Sequence, residues 1–592
     1  MGAGTAQRGA CLLISGKVRK NMEFVVFAGV LLLLFIFMIV QELIQTKNQE
    51  KLFKKYLREN YGKEPPKEYS LERFARLGSY LERHKEEKQL DDITWNDLGM
   101  DEVFRRIDRT YSAAGEEYLY YTLRNISCGR EALEHLEEVV NWLQEQENIK
   151  VRIQLLMKRL GHLGKYSLYD YLDNLDYLGE RSNRKIVLGN LLYLPFLLLL
   201  FVQPAMGTIG IVLCMLWHIM TYFREKKVIE PYIISFAYVL RLIDVCEELE
   251  KQKIPAYRRE LDEREALKSL RELRRGAYWV MAGNQGKIGG NPLDILADYL
   301  RMILHLDIFQ FNRMLEKLRK KTGQVENMLA ITGYLDMAIS VGGFRKSLEG
   351  YCIPKLEEDT EKAFLHMKKG WHPLLSQPVK NSIRADRGIL LTGSNASGKS
   401  TFLKMVAVNA VLAQTIHTCA AESYHAPIFQ IFSSMALRDS MENGESYYIV
   451  EIRSLKRILD AAGERRTPVL CFVDEVLRGT NTVERIAAAT QILIRLAESG
   501  TLGFAATHDI EMTELLKEYY DNYHFEEVIR DGDILFPYQL LPGKASTRNA
   551  IRLLQMMGYE EQIIKKASGQ AENFLKTGKW INTPAAISEG NT

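Results

Sequence analysis

Two apolar blocks stand out along the chain before any motif does. Phe24 to Val40 contains no charged residue and is dominated by Leu, Val, Ile and Phe. As a helix it would rise roughly 25 Å, near the lower limit for crossing a bilayer. The alternatives are a buried core helix or a signal peptide, although Val40-Gln41-Glu42 lacks the small residues of a cleavage site. Ile186 to Phe223 is again free of Asp, Glu, Lys and Arg, and divides at Gln203-Pro204 with Gly207 following. Each half is just long enough to span, so the block predicts a helical hairpin with a minimal outer loop, the alternative being two buried soluble helices.

Between and after these blocks the apolar period is helical, as at Leu133, Leu136, Val140 and Leu143 and again at Leu293, Leu296, Leu300 and Ile303. Past Trp371-His372-Pro373 the pattern changes to short apolar runs alternating with helices, which predicts an α/β domain. The expected organisation is a tail (1–22), a transmembrane helix (23–41) and a charged helical linker (45–92). A helical core and lever region (93–185) follows, interrupted by the hairpin (186–223) and resumed over 224–365. The α/β domain occupies 366–592.

Charge then sets the topology. Arg181, Arg184 and Lys185 flank one end of the hairpin and Arg224, Lys226 and Lys227 the other, which places both ends in the cytoplasm. With the α/β domain also cytoplasmic, the first span must have its N-terminus outside. Arg8, Lys17, Arg19 and Lys20 before it oppose Lys47, Lys51, Lys54, Lys55 and Arg58 after it, and translation starting at Met22 would remove that conflict. The expected location is the cell membrane, with several spans and the lipid bilayer as a partner. Elsewhere composition is ordinary: 47% hydrophobic, 26% charged and a net charge of +3, which announces no global affinity for nucleic acid. The seven cysteines are scattered without a C-x-x-C pair, which argues against zinc or a disulfide framework. Arg271, Arg274 and Arg275, and Lys317 to Lys321, are basic clusters that read as solvated faces or as a local DNA contact.

The α/β region carries the chemistry. Gly388 to Thr392 is a plausible buried strand running into Gly393, Ser394, Asn395, Ala396, Ser397, Gly398, Lys399, Ser400 and Thr401, then a helical stretch. This is a phosphate-binding loop in the strand–loop–helix context that such loops require. Glycines let backbone N–H groups approach phosphate, Lys399 would hold the β- and γ-phosphates, and Ser400 would coordinate Mg²⁺. A second apolar strand, Val469 to Val473, ends in Asp474-Glu475, suited to Mg²⁺ and to activation of the attacking water. A third, Leu502 to Ala506, ends in Thr507-His508, where the imidazole can reach the γ-phosphate. Polar groups at the ends of three strands would converge on one ligand, ATP with Mg²⁺.

These details resemble the MutS family of ABC-type ATPases. The loop keeps the Asn of the family's G-P-N-M-x-G-K-S-T, with Ser394 in place of Pro. Ser446-Tyr-Tyr-Ile-Val-Glu451-Ile452 is similar to S-T-F-M-x-E-M. Asp474-Glu-Val-Leu-Arg478-Gly479-Thr480-Asn481-Thr482 is similar to D-E-x-G-R-G-T-S/T, with Leu477 in place of Gly. Thr507-His508 and Tyr538-Gln-Leu-Leu-Pro542-Gly543-Lys-Ala545-Ser546 also match, over about 200 residues in all. Arg109 to Gly115, and Tyr351, Pro354, His372 and Pro373, are similar to the family's core and its run into the ATPase domain. The resemblance implies a homodimer in which Ser446 reaches the partner's nucleotide in trans and Asn481 and Thr482 line the seam. His372 would join the nucleotide site. It also implies an ATPase coupling ATP binding and hydrolysis to dimer closure, with DNA binding and a mismatch-repair-related role, and the apolar blocks add the expectation that this ATPase is membrane-anchored. No mismatch-reading module is apparent before Ile93. The alternative is therefore an ATP-driven membrane motor or scaffold acting on a protein or lipid; an ABC transporter fits poorly, as there is no L-S-G-G-Q.

Overall fold

The computed structural model describes residues 37, 40, 41, 44–64, 69–85, 89–126, 129–163, 167–252, 254, 270, 271, 299–358, 360, 362–394, 397–435, 447–463, 467–477, 480–530, 533–545 and 550–580. The expected first span lies almost wholly outside these residues, as do Asn395, Ala396 and Ser446. The chain divides into two units, Met1–Tyr61 and Gly62–Thr592. The first contributes helix α1 (44–60), which carries an exposed Lys54–Glu50 pair one turn apart and a stacked Phe53–Tyr56 pair.

The second unit opens with a helical core. Its helices are α2 (Leu71–Arg83), α3 (Asp92–Leu98), α4 (Met100–Ile107), α5 (Ala113–Arg124), α6 (Arg130–Glu145), α7 (Glu147–Leu160) and α8 (Leu168–Asp173). The anticipated stripe Leu133, Leu136, Val140 and Leu143 is the buried face of α6. The entry to α5 is held by one carboxylate. Asp336, fully buried, accepts from the Tyr111 N–H at 3.0 Å, the Ser112 N–H at 2.9 Å and the Ser112 hydroxyl at 2.6 Å. Ser112 in turn caps the helix by accepting from the Gly115 N–H.

The hairpin follows as α9 (Arg184–Leu191) and α10 (Tyr193–Val202), then α11 (Pro204–Glu250). The break at Leu192 has a cause in Pro195, which has no N–H to offer the Leu191 carbonyl. The turn needs only Gln203, because Pro204 starts α11 with a preset φ. Close approach of the two arms requires glycine: a Cβ on Gly207 would lie 2.6 Å from Leu200 N, and one on Gly210 would lie 2.1 Å from the Phe196 ring. Both arms are long and apolar enough to cross a membrane, and only 6% and 22% of their most apolar stretches are buried against protein. The expected boundary at Arg224 is not a break in the backbone. The returning arm continues for 47 residues, roughly 70 Å, into the helical core, where Ile229, Phe236, Tyr238 and Leu242 are buried.

Among the described residues, α12 (Leu306–Arg319) and α13 (Thr322–Ser347) add to the core, and α13 is buried continuously from Leu335 to Arg345. The cationic clusters are partly consumed here: Arg271 pairs with Glu247, and Arg319 donates to the carbonyls of Leu175 and Gly179. Arg274 and Arg275 lie outside the described residues.

The α/β region begins with β1 (Lys355–Glu357), β2 (Leu365–Gly370), β3 (Asn381–Ala385) and β4 (Gly388–Thr392), followed by α14 (Lys399–Ile416), β5 (Ser423–Pro427) and β6 (Gln430–Ser434). It continues with α15 (Tyr447–Ala462), β7 (Val469–Asp474), α16 (Thr482–Glu498), β8 (Leu502–Ala506), α17 (Met512–Leu515) and β9 (Tyr520–His524). It ends with β10 (Val528–Arg530), β11 (Asp533–Leu535), β12 (Leu541–Pro542), α18 (Ala550–Met556) and α19 (Glu561–Thr577). The main sheet has the order β12-β9-β4-β8-β7-β6, parallel except for β12, and a four-stranded sheet β1-β5-β2-β3 lies beside it in sequence. The fully buried runs of β4, β7 and β8 are what a parallel strand covered on both faces needs.

Among the contacts that tie the helical core to this domain, two centre on buried charged groups. Asp97 of α3 accepts from the Ser433 hydroxyl at 2.7 Å and the Met435 N–H at 2.9 Å, covering the edge strand β6. Arg345 of α13, 1% exposed, donates to Thr418 Oγ1 at 2.8 Å, the His417 carbonyl at 3.0 Å and the Glu137 carboxylate at 2.7 Å. Burial alone would raise Glu137, but bonds from His417 and Arg345 bring it down to about 2. Asp336→Ala is expected to destabilise the chain by about 3 kcal/mol, because two buried N–H groups lose their charged acceptor. A thermal melt of the purified full chain checks this, and an unchanged midpoint would remove Asp336 from its structural role.

Candidate functional site

The order β4-β8-β7 sets three strand ends side by side, with Leu391 and Asp474 both opposite Ala506 in register. The loops that leave these ends carry every described catalytic candidate. After β4 the chain turns through Gly393 at φ 137, where a Cβ would sit 2.5 Å from the Phe525 carbonyl. Gly398 at φ 103 then starts α14. Between them Ser397 is buried and bonds back to the Ser394 carbonyl through its hydroxyl at 2.7 Å. Ser397 thereby ties the described part of the loop together just before α14, whose N-terminal end favours an anion.

Lys399 is only 3% exposed, and its ammonium donates to the Gly393 and Ser394 carbonyls, both at 2.8 Å, with His508 Nε2 at 3.5 Å. The next residue, Ser400, donates its hydroxyl to Asp474 Oδ2 at 2.5 Å. Asp474 is 8% exposed, and its other oxygen, Oδ1, has no hydrogen-bond partner among the described residues. Glu475 adopts φ 59, a conformation costly for a residue with a side chain, and its N–H bonds to the Ala506 carbonyl. That kink turns its carboxylate onto His508, with Oε1 2.6 Å from Nε2.

Supporting groups fix these positions. Arg485 of α16 grips Asp509 through two bonds, at 3.0 and 2.7 Å, and the Asp509 N–H bonds to Thr507 Oγ1. The chain on either side of His508 is therefore pinned. Glu451 of α15, buried, accepts from the Leu477 N–H at 2.5 Å and so tethers the loop after Glu475. Glu527 accepts from Ser394 at 3.2 Å. The sequence pattern draws in Glu451 and Asp509 without assigning either a role, and it does not single out Arg485 or Glu527. Asp509 directly follows Thr507-His508, which was the one available signal.

Beside the loop lies a cavity of about 420 Å³, walled by Phe402, Met405, Phe525 and Tyr538 with His372, Ser400 and Thr401 on its rim. Tyr538 is held by Asn381, whose amide donates to its carbonyl at 2.9 Å. His372 has a bond from the Leu374 N–H to Nδ1, and burial, assisted by the Lys404 charge, lowers it to about 4. It is therefore a neutral acceptor at pH 7.

These groups suit a nucleoside triphosphate with a divalent cation. The glycine cradle admits only backbone, the aromatic cavity suits a planar base, and the unpartnered Asp474 oxygen beside Ser400 is a hard ligand for Mg²⁺. Among the described residues no cluster of three His, Cys or carboxylate groups could hold a metal, but an ion shared with phosphate needs only one or two carboxylates.

The comparisons agree with this geometry. Residues 389–575 match the family description MutS domain V. The chain is 30% identical over 262 residues to the DNA mismatch repair protein MutS of Thermus thermophilus, covering 43% of this chain and 31% of that protein. It is 33% identical over 223 residues to the protein of that name from Thermus aquaticus, covering 37% and 26%. With the one from Lactobacillus acidophilus identity is 29% over 286 residues, covering 46% and 32%. The chain thus spans about a third of the length of the curated relatives it matches.

His372 supplies a pH test. Its value falls from ~6.5 in the unfolded chain to about 4 in the fold, so between those limits only the unfolded state binds the proton. Stability is full above pH ~6.5 and falls as pH drops toward 4, by about 1.4 kcal/mol per unit. His372→Phe should flatten that slope in melts from pH 7 to 4.5, and an unaltered slope would contradict the buried neutral imidazole.

Proposed function

The chain belongs to the MutS family, and on that premise we propose that it is an ATPase working as a homodimer and anchored in the membrane by its apolar hairpin. The carrying observation is the Lys399, Ser400–Asp474 and Glu475–His508 constellation on three adjacent parallel strand ends.

In this reading the loop N–H groups and Lys399 bind the β- and γ-phosphates, while His372 and Tyr538 frame the base. Ser400 and Asp474 would hold a Mg²⁺ ion, whose chemistry when bound would be to neutralise charge on the phosphate oxygens. Glu475 orients a water and takes its proton, and its strained φ fixes the carboxylate before substrate arrives. His508, pinned through Asp509 and Arg485, donates toward the γ-phosphate oxygen where charge accumulates.

For assembly, Asn481, Thr482 and Val483 lie exposed at the start of α16, and Val483 is 76% exposed. A partner copy bringing Ser446 to the γ-phosphate would cover this surface and couple closure to nucleotide. The family relationship supports a mismatch-repair-related action on DNA. A second reading, a membrane motor or scaffold with a protein or lipid target, is favoured by the exposed apolar hairpin, which continues without a break into the core helix α11.

Three outcomes follow. Glu475→Gln is expected to bind ATP but hydrolyse it at least about 100-fold more slowly, whereas Lys399→Ala weakens binding itself. Near-normal turnover in the Glu475 variant contradicts its role. Mixed Ser446→Ala and Lys399→Ala chains should recover part of the ATPase activity, because one site in the heterodimer is intact; crosslinked heterodimers without recovery would rule out a shared site. The full chain should remain with membranes through high-salt and carbonate washes, and release by either wash would mean the hairpin does not span.

A further inference from the structure

Cys352 and Cys419, far apart in sequence, face each other across an isolated antiparallel bridge. Each donates its N–H to the other's carbonyl at 3.0 Å. Residues paired in this way share a face and have Cα atoms about 5.5 Å apart, inside the roughly 4.4–6.8 Å that a disulfide spans. Both are free thiols here, and the Cys419 thiol is in hydrogen-bonding contact with the Cys352 sulfur. The bridge stands outside the named strands, so little pairing is disturbed when the two Cβ atoms draw closer.

The two sulfurs are unequal. Cys352 is partly exposed, whereas Cys419 is fully buried. The hydrogen bond from the Cys419 thiol, joined by the Tyr424 N–H, brings the Cys352 thiol down although burial opposes it. Burial, reinforced by the neighbouring Cys352, pushes Cys419 up. The thiolate therefore forms on the reachable sulfur, with a second sulfur beside it in the interior. That is the division between an attacking and a resolving cysteine.

The position of the bridge gives such a bond a consequence. On one side Tyr351 lies beneath the Arg345 guanidinium, 5.4 Å from ring centroid to Cζ. On the other, Thr418 accepts from the same guanidinium at 2.8 Å. The chain after Cys419 is fastened to α14, because the Ala420 N–H donates to Asn409 Oδ1 at 2.7 Å. The Ala420 carbonyl accepts from the Trp371 N–H at 2.9 Å, next to His372. We propose that Cys352 and Cys419 are a thiol–disulfide switch: hydrogen peroxide closes the bond, and the closed bond immobilises the junction between α14 and the helical core.

The Cys352 thiolate attacks one peroxide oxygen and the O–O bond breaks. Cys352 becomes the sulfenic acid, and the hydroxide released takes up the proton that the thiol lost. The Cys419 sulfur then attacks the Cys352 sulfur, the S–O bond breaks, and the hydroxyl leaves as water with the Cys419 proton. The two sulfurs together lose two electrons, and one peroxide is reduced to two waters. In a reducing compartment a bond of this kind is transient and serves as a sensor.

The test treats the reduced full chain in detergent, freed of reductant, with hydrogen peroxide, then alkylates the remaining thiols and maps the peptides by mass. An intramolecular Cys352–Cys419 bond, reopened by dithiothreitol, is expected. In Cys419→Ala the reaction should stop at a sulfenic acid trapped on Cys352 by dimedone, and in Cys352→Ser the Cys419 thiol should survive. Without nucleotide, hydrogen–deuterium exchange at 348–355 and 416–421 should slow on oxidation of the wild type, recover with dithiothreitol, and stay unchanged in Cys352→Ser. ATP turnover of the wild type should fall at least about tenfold on oxidation, or about 1.4 kcal/mol of barrier, and return on reduction. The wild type and Cys352→Ser decide the matter even if Cys419→Ala, altered in the interior, fails to fold. No bond, a bond to a different cysteine, or a bond that leaves exchange or the turnover of an active chain unchanged overturns the proposal. The turnover arm rests on the ATPase reading above. A reduced chain that does not hydrolyse ATP counts against that reading alone, because the bond and its effect on exchange are read without nucleotide.

Discussion

The parallel pairing of β4, β8 and β7 is the constraint on which the rest of the site depends. A one-residue slip in either pairing would turn Leu391 or Asp474 to the opposite face and separate the groups that the strand ends now bring together. Two bonds fasten the ends across the strands. The Thr507 N–H reaches the Leu391 carbonyl, and the Glu475 N–H reaches the Ala506 carbonyl, both at 2.9 Å. The loops can then be irregular, with positive φ at Gly393, Glu475 and Leu477, because the sheet beneath them holds a single register.

The same geometry gives the site a route outward. Helix α14 starts at Lys399 and ends at Ile416, and the residues just beyond its end are gripped by Arg345 of α13. A movement at the loop therefore meets a buried guanidinium that also holds Glu137 of α6. Packing carries it further, since α13 lies against α11, and α11 is one helix from the hairpin turn to Glu250. Removing a buried charge partner is costly, so this junction favours rigid transmission over local melting.

Much of the site was legible because its residues are close in sequence to the strand ends they serve. Gly393–Thr401, Asp474-Glu475 and Thr507-His508 each follow an apolar run, and a buried parallel strand has no other appearance in sequence. The hairpin was legible for the complementary reason, a long stretch without charge. What could not be read were contacts that join distant segments: Asp336 with Ser112, Arg345 with Thr418, and Glu451 with Leu477. Charged residues of this kind look like solvated faces in a linear pattern, and only the fold shows that they are buried. The continuity of α11 was also hidden, because Arg224, Lys226 and Lys227 close the uncharged stretch but do not end the helix.

The central claim is that nucleotide at the Lys399 loop is mechanically joined to the helical core and, through it, to the hairpin. Hydrogen–deuterium exchange of the full chain, with and without a non-hydrolysable ATP analogue and Mg²⁺, tests this most directly. The account predicts slowed exchange at 393–401 and 474–477, together with altered exchange at 416–419, along α13 and in the buried part of α11. Protection confined to the loop, or no change at 393–401 at saturating analogue, would contradict it.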